Sequence, residues 1–293
     1  MTPSPAPNHR PESAWRDVLL TALAPMVWGS TYLVTTQWLP PDRPWTAACL
    51  RALPAGLLLV LATRHGPQRT QWRRLLMLSA LNIGAFQALL FMAAYRLPGG
   101  LAAVLGALAP LFVLALGWAW DGLRPRSATL AAALLGVVGT ALLLLSPQSR
   151  WDGWGVLAAL GGMVSMSSGT YFTRKWQLDM PVLALTGWQL LLGGLMLVPA
   201  ALALDAPLPV LQPTQLAAYG YLSLVGAMLS YALWFRGVVR LPSVAVASLG
   251  LLSPLCAVLL GWVVLGQAFG PTGLLGMALV LGSVLAVQLS SRR

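Results

Sequence analysis

Ten apolar stretches, each about long enough to cross a bilayer, occupy the chain from Asp17 to its C-terminus. A hydrocarbon core of roughly 30 Å demands about 20 mostly apolar residues per spanning helix. With no water there to bond the backbone, a spanning stretch must satisfy its own N–H and C=O groups, and an α-helix does so within one segment. Composition agrees: 9% of the residues are charged and 58% are apolar, against about 25% charged in an ordinary soluble domain. Whatever this chain does, it does in or across a membrane.

The apolar pattern places spans at 17–36, 45–63, 73–94, 98–119, 127–145, 153–173, 181–203, 213–235, 242–264 and 270–289. Pro and Gly punctuate the joins, as at Pro40-Pro41, Gly66-Pro67 and Gly270-Pro271. Residues 1–16, rich in Pro and Ser, read as a flexible cytoplasmic tail. A cleaved signal peptide is the competing reading of the start. The apolar run continues to Val34 without a small-residue cleavage site, which favours a retained first helix. The joins are too short for a separate soluble domain.

The net charge of +11 does not form a nucleic-acid patch, because the basic residues recur in alternate loops. With the N-terminus cytoplasmic, fourteen Lys and Arg fall on the inner face and three on the outer, leaving Arg51 inside a span. The positive-inside rule then puts both termini in the cytoplasm, as an even number of spans requires. Cys49 and Cys256 lie singly in apolar segments, and His9 and His65 lie in the tail and a loop, so neither a metal nor a cofactor is expected.

The chain also repeats itself. Arg96–Trp118 and Arg240–Trp262, offset by 144, share 12 of 23 positions, including Pro98/Pro242, Gly106/Gly250 and Pro110/Pro254. The halves run 17–146 and 147–293 within one membrane domain, each with five helices. An odd number per half makes the second copy enter the membrane from the opposite side. The expected fold is all-α, with ten transmembrane helices in two inverted five-helix repeats. Such symmetry lets a central site open to one face and then the other.

With Trp28-Gly29-Ser30-Thr31 in the first helix, Arg51 in the second and Pro in the fourth and ninth, the chain resembles the EamA-type branch of the drug/metabolite transporter superfamily. Within that branch it is most similar to the bacterial aromatic-amino-acid exporters. The resemblance implies export of amino acids or related metabolites across the inner membrane.

Arg51 is the clearest ionisable group within a span, six residues and about 9 Å past Trp45. It can bind a substrate carboxylate bidentately, or snorkel and bond helix-end carbonyls. The seven acidic residues lie in the tail, in loops or at span ends. A membrane carboxylate for proton or cation coupling is therefore not evident, and organic cations are expected to be poor substrates. The other candidates for a substrate cavity are Trp28, Thr31, Tyr32, Asn82, Gln87, Phe91, Tyr95, Ser165, Ser168, Tyr171, Trp188, Gln189, Tyr231 and Trp234. Gln87 and Tyr231 are equivalent at the offset of 144, as expected where a pseudo-two-fold axis crosses a cavity. Each candidate also has a packing or interfacial role open to it. Pro110 and Pro254, mid-span, are candidate gating hinges or static kinks.

Neutral hydrogen-bonding groups and rings suit a zwitterionic or uncharged solute with an apolar side chain. A nucleotide-sugar carrier would need more basic groups in the cavity. An intramembrane enzyme would need His, Asp or Glu inside a span. A drug carrier, a channel or a scaffold remains an alternative, and the oligomeric state is open. Single cysteines placed across 64–72 should react with membrane-impermeant maleimide only from the cytoplasmic side; labelling from outside overturns the topology.

Overall fold

A computed structural model describes residues 11–97, 99–144, 152–266 and 270–291. Among them there is no β-strand. The helices are α1 (Pro11–Trp38), α2 (Pro44–Thr63), α3 (Trp72–Ser79), α4 (Ala85–Arg96), α5 (Gly99–Gly106), α6 (Ala109–Asp121) and α7 (Ser127–Leu144). They continue with α8 (Gly153–Trp176), α9 (Val182–Leu204), α10 (Pro213–Ser223), α11 (Ser230–Arg240), α12 (Ser243–Leu249), α13 (Leu252–Leu265) and α14 (Pro271–Ser290). A π-helical turn, Ala80–Gly84, joins α3 to α4, and a second, Leu224–Leu229, joins α10 to α11.

Local chemistry sets the ends. Pro44, Pro213 and Pro271 occupy first turns, where the missing N–H has no partner to lose. Gly122 and Gly266, both at φ 66°, close α6 and α13 in the left-handed conformation that a Cβ disfavours. The Asp152 side chain caps α8 by accepting from the Gly155 N–H at 2.7 Å. The first helix begins at Pro11, six residues before the expected start at Asp17, so 11–16 are helical rather than tail.

Nine stretches among the described residues are long and apolar enough to cross a membrane. The expected span at 153–173 is also a helix, α8, but its run of Ser, Thr and Gly leaves it less apolar than the others. Large apolar side chains such as Leu61, Leu202 and Leu285 point outward. That inversion of a soluble surface fits a lipid solvent. This is a multi-pass membrane protein.

The interior is built by close approach. Helix α2 lies against α9, and α7 against α14. A Cβ added at Gly56 would sit 2.7 Å from the Leu191 Cα, and one at Gly276 would sit 2.6 Å from the Gly139 carbonyl oxygen. Where lipid tails are as apolar as the helices, small residues at such contacts maximise dispersion. Helix α1 packs on α11 and α13, while α8 packs on α4 and α6.

Backbone irregularities recur at the offset of 144. The π turns begin at Ala80 and Leu224, α5 ends at Gly106 where α12 is capped by Gly250, and the left-handed glycines are 122 and 266. Pro110 and Pro254 lie in the first turns of α6 and α13, directly after breaks, not inside unbroken helices. Pro110 has no N–H for the Gly106 carbonyl and Pro254 none for that of Gly250, which places each break.

Ion pairs differ at the two ends. Asp17 of α1 holds Arg236 at 2.6 Å and Arg240 at 3.4 Å at the end of α11, with its own side chain 14% exposed. Arg96 at the end of α4 meets Asp152 at 3.7 Å, both about half exposed. Gly56→Val should force α2 from the α9 backbone. The expected result is a loss of about 1–3 kcal/mol or more, read as a lower unfolding temperature in detergent.

Candidate functional site

The second π turn organises the centre. A π turn replaces the i→i+4 pattern by i→i+5, which releases a carbonyl from the helical ladder. The Gly226 carbonyl is taken by two side chains from other helices. Trp28 Nε1 of α1 donates to it at 3.1 Å, and Arg51 Nη2 of α2 at 3.0 Å. The first π turn is treated alike: the Ser165 hydroxyl of α8 donates to the Leu81 carbonyl at 2.8 Å.

Arg51 is only 5% exposed. It bonds a carbonyl in mid-rod, a geometry that the sequence does not announce.

Around this anchor the Trp28 ring lies 5.0 Å from that of Tyr231 and 5.1 Å from that of Trp234, tilted by 51° in both cases. Tyr231 in turn stacks on Phe235 at 5.8 Å. Gln87 Nε2 of α4 donates to the Tyr231 hydroxyl at 3.3 Å. The two residues equivalent at the offset of 144 therefore touch.

Several buried polar atoms here have no hydrogen-bond partner among the described residues: Thr31 Oγ1, Gln87 Oε1, Ser223 Oγ and Trp234 Nε1. An unpaired polar group in a dry interior costs several kcal/mol. Such a set beside aromatic faces is what a polar solute or water would satisfy.

A second polar knot joins the first π turn to α8 and α9. Asn82, fully buried, donates through Nδ2 to Thr173 Oγ1 at 3.1 Å and to Gln189 Oε1 at 2.7 Å. Gly169 passes directly against the Asn82 amide. These amides hold helices together.

The remaining candidates disperse. Phe91 packs with Ala48, Cys49 and Leu197 toward α2 and α9. Trp188 donates to the His65 carbonyl at 2.9 Å and meets Trp72 edge-on at 5.4 Å, an anchor at a helix end. Tyr171 turns away to hydrogen-bond Asp121, which also binds Lys175 at 2.6 Å. Ser168 is half-buried on α8. The side chains of Tyr32 and Tyr95 lie outside the described residues. So do Pro98, from which the fourth span was expected to start, and residues 1–10 of the tail.

Two contacts escaped the sequence. Ser30 Oγ and the Tyr221 hydroxyl share a hydrogen bond of 2.6 Å. Arg174 donates to the carbonyls of Val238, Val239 and Leu241 at the end of α11. Separations of 64–67 residues for Arg174 and 191 for Ser30–Tyr221 give no local signal. Among the described residues no group of three or more His, Cys, Asp or Glu could hold a metal ion.

Arg51→Met should leave the Gly226 carbonyl with Trp28 as its one side-chain donor. A loss of about 1–3 kcal/mol is expected, measured as a lower unfolding temperature. An unchanged temperature would mean that the indole alone suffices.

The fold recurs in known proteins. A solved crystal structure superposes with a TM-score of 0.79, covering 95% of this chain and 98% of its own at 20% identity, a likeness of fold. Protein PecM of Dickeya dadantii is 43% identical over 276 residues, 92% of each chain. The uncharacterised transporter YwfM of Bacillus subtilis is 29% identical over 283 residues, 94% of each. The sequence profile of the EamA-like transporter family matches residues 15–145 and again 153–289. With both halves matched and nearly all of the helical region covered, this chain belongs to the EamA-like transporter family of the drug/metabolite superfamily.

Proposed function

We propose that this chain is a secondary transporter exporting neutral amino acids, aromatic ones among them, and related small metabolites across the inner membrane by alternating access. Trp28, Thr31, Gln87, Tyr231 and Trp234 line the substrate site. The observation that carries this is the set of unpaired buried polar atoms beside the Trp28, Tyr231 and Trp234 rings. Gln87 Oε1 offers an acceptor and Trp234 Nε1 a donor, and the ring faces receive an apolar or aromatic side chain. Arg51 is a positioning residue, holding the π turn that leads into α11, the helix that carries Tyr231 and Trp234.

Ten spans in two inverted halves account for the recurrence at 144, with α8 as the sixth span and both termini cytoplasmic. At 24 residues α8 is about 36 Å long, enough to cross. The matching of one family profile to both halves supports the repeat. The Gln87–Tyr231 contact then lies on the pseudo-two-fold axis. The breaks before Pro110 and Pro254 are the joints about which the two gates bend. Transport needs neither catalytic chemistry nor a cofactor, so the chain is not an enzyme.

A drug or other metabolite carrier is the second reading, since aromatic walls accept many planar solutes. Proteoliposomes loaded with unlabelled amino acids separate the two. Saturable counterflow of labelled Phe and Met, not driven by an acidic exterior, is the expected result. Gln87→Ala and Trp234→Ala should each raise the half-saturating concentration about tenfold, the loss of roughly 1.4 kcal/mol of binding. No exchange of any amino acid would favour the other substrates, and wild-type kinetics in both variants would misplace the site.

A further inference from the structure

A cavity of about 580 Å³ lies between α6, α8, α12 and the end of α14, apart from the aromatic cluster. Four basic side chains, Arg124, Arg126, Arg174 and Lys175, line it against one carboxylate, Asp121. That carboxylate is already engaged by Lys175 at 2.6 Å and by the Tyr171 hydroxyl. Arg174 donates to backbone carbonyls through Nη1 alone, and carbonyls do not neutralise it. Arg126 reaches the Ser290 carbonyl at 3.4 Å, and Arg124 forms no ion pair among the described residues. Among the described residues, three of the four positive charges at the cavity have no carboxylate partner.

Hydroxyls add to this charge. Thr129, Ser243, Ser290 and Ser291 open onto the same space. The deeper wall is apolar, from Val113, Leu114 and Val244, and a Cβ added at Gly117 would meet nothing within 4 Å. The neighbouring Trp118 and Trp120 are each 60% exposed, as side chains at the edge of a bilayer are. The cavity is thus cationic at its mouth and greasy behind.

At the offset of 144 Arg124 and Arg126 correspond to Ala268 and Gly270, so the internal repeat does not carry these charges over. Basic pockets between spanning helices on the cytoplasmic side suit acidic lipid headgroups.

We propose that this cavity is a binding site for an anionic phospholipid, its headgroup phosphate against Arg124, Arg126 and Arg174 and one acyl chain along Val113, Leu114 and Val244. A free phosphate would match the mouth and leave the apolar wall unfilled. The site rests on the membrane fold and not on which substrate is carried.

The test uses the full-length protein purified in a neutral detergent. Short-chain phosphatidylglycerol, phosphatidylcholine with the same chains, and inorganic phosphate are each titrated. Binding is read from the unfolding temperature and from lipid retained in native mass spectrometry. Phosphatidylglycerol should raise the temperature and be retained, and the other two should do neither. Arg124→Gln with Arg126→Gln should weaken phosphatidylglycerol binding about tenfold or more, and Arg124→Lys with Arg126→Lys should keep most of it. The Lys pair also serves if the Gln pair does not fold. Equal binding of phosphatidylcholine, full saturation by phosphate alone, or undiminished phosphatidylglycerol binding in the Gln pair would each overturn the proposal.

Discussion

A backbone carbonyl in hydrocarbon has no water to turn to, and the centre of this protein is arranged around two that the helices themselves release. Each π turn widens its rod and frees acceptors. Trp28 and Arg51 converge on Gly226, and Ser165 on Leu81. In each case a donor comes from a helix far away in sequence, so satisfying the backbone ties helices together. The same bond fixes the rotation of Trp28, and that rotation sets its faces against Tyr231 and Trp234. A buried guanidinium is expensive by itself, and here its placement follows from the carbonyl it serves.

Packing around this centre relies on small residues more than on large ones. Gly56, Gly139, Gly187, Gly194 and Gly276 let backbones approach so closely that a methyl group would collide. Leu side chains serve both settings, buried at Leu75, Leu190 and Leu249 and outward at Leu61, Leu202 and Leu285. Polar side chains between helices, such as Ser283 donating to the Ala132 carbonyl at 2.7 Å, add direction to contacts that dispersion alone leaves free to slide.

Helix positions were legible because apolar runs, first-turn prolines and closing glycines act locally. The π turns were not, since Ala80–Gly84 and Leu224–Leu229 contain no residue that forces one. That omission propagated to the site. Residue type and depth do not give the direction in which a side chain points, and an extra residue in a turn rotates everything after it by about 100°. Phe91 and Tyr171 had suitable chemistry; in the structure Phe91 packs with Ala48, Cys49 and Leu197, and the Tyr171 hydroxyl bonds Asp121. Gln87 and Tyr231 come together in the structure, and only the internal repeat had linked them. Asp17 was visible as an acid at a span edge. That it would bind two arginines more than 200 residues away depends on how α1 lies against α11.

The two ends of the bundle are held by charge in unequal surroundings. Dissolved ions screen exposed charges over about 8 Å at physiological ionic strength and reach enclosed ones far less. Arg96 and Asp152 stand 3.7 Å apart in the open, whereas Asp17 is mostly enclosed with Arg236. Raising ionic strength therefore loosens the Arg96 end first and leaves the Asp17 end fastened. The electrolyte on each side of the membrane thus becomes a bias on which end of the helical bundle parts more readily.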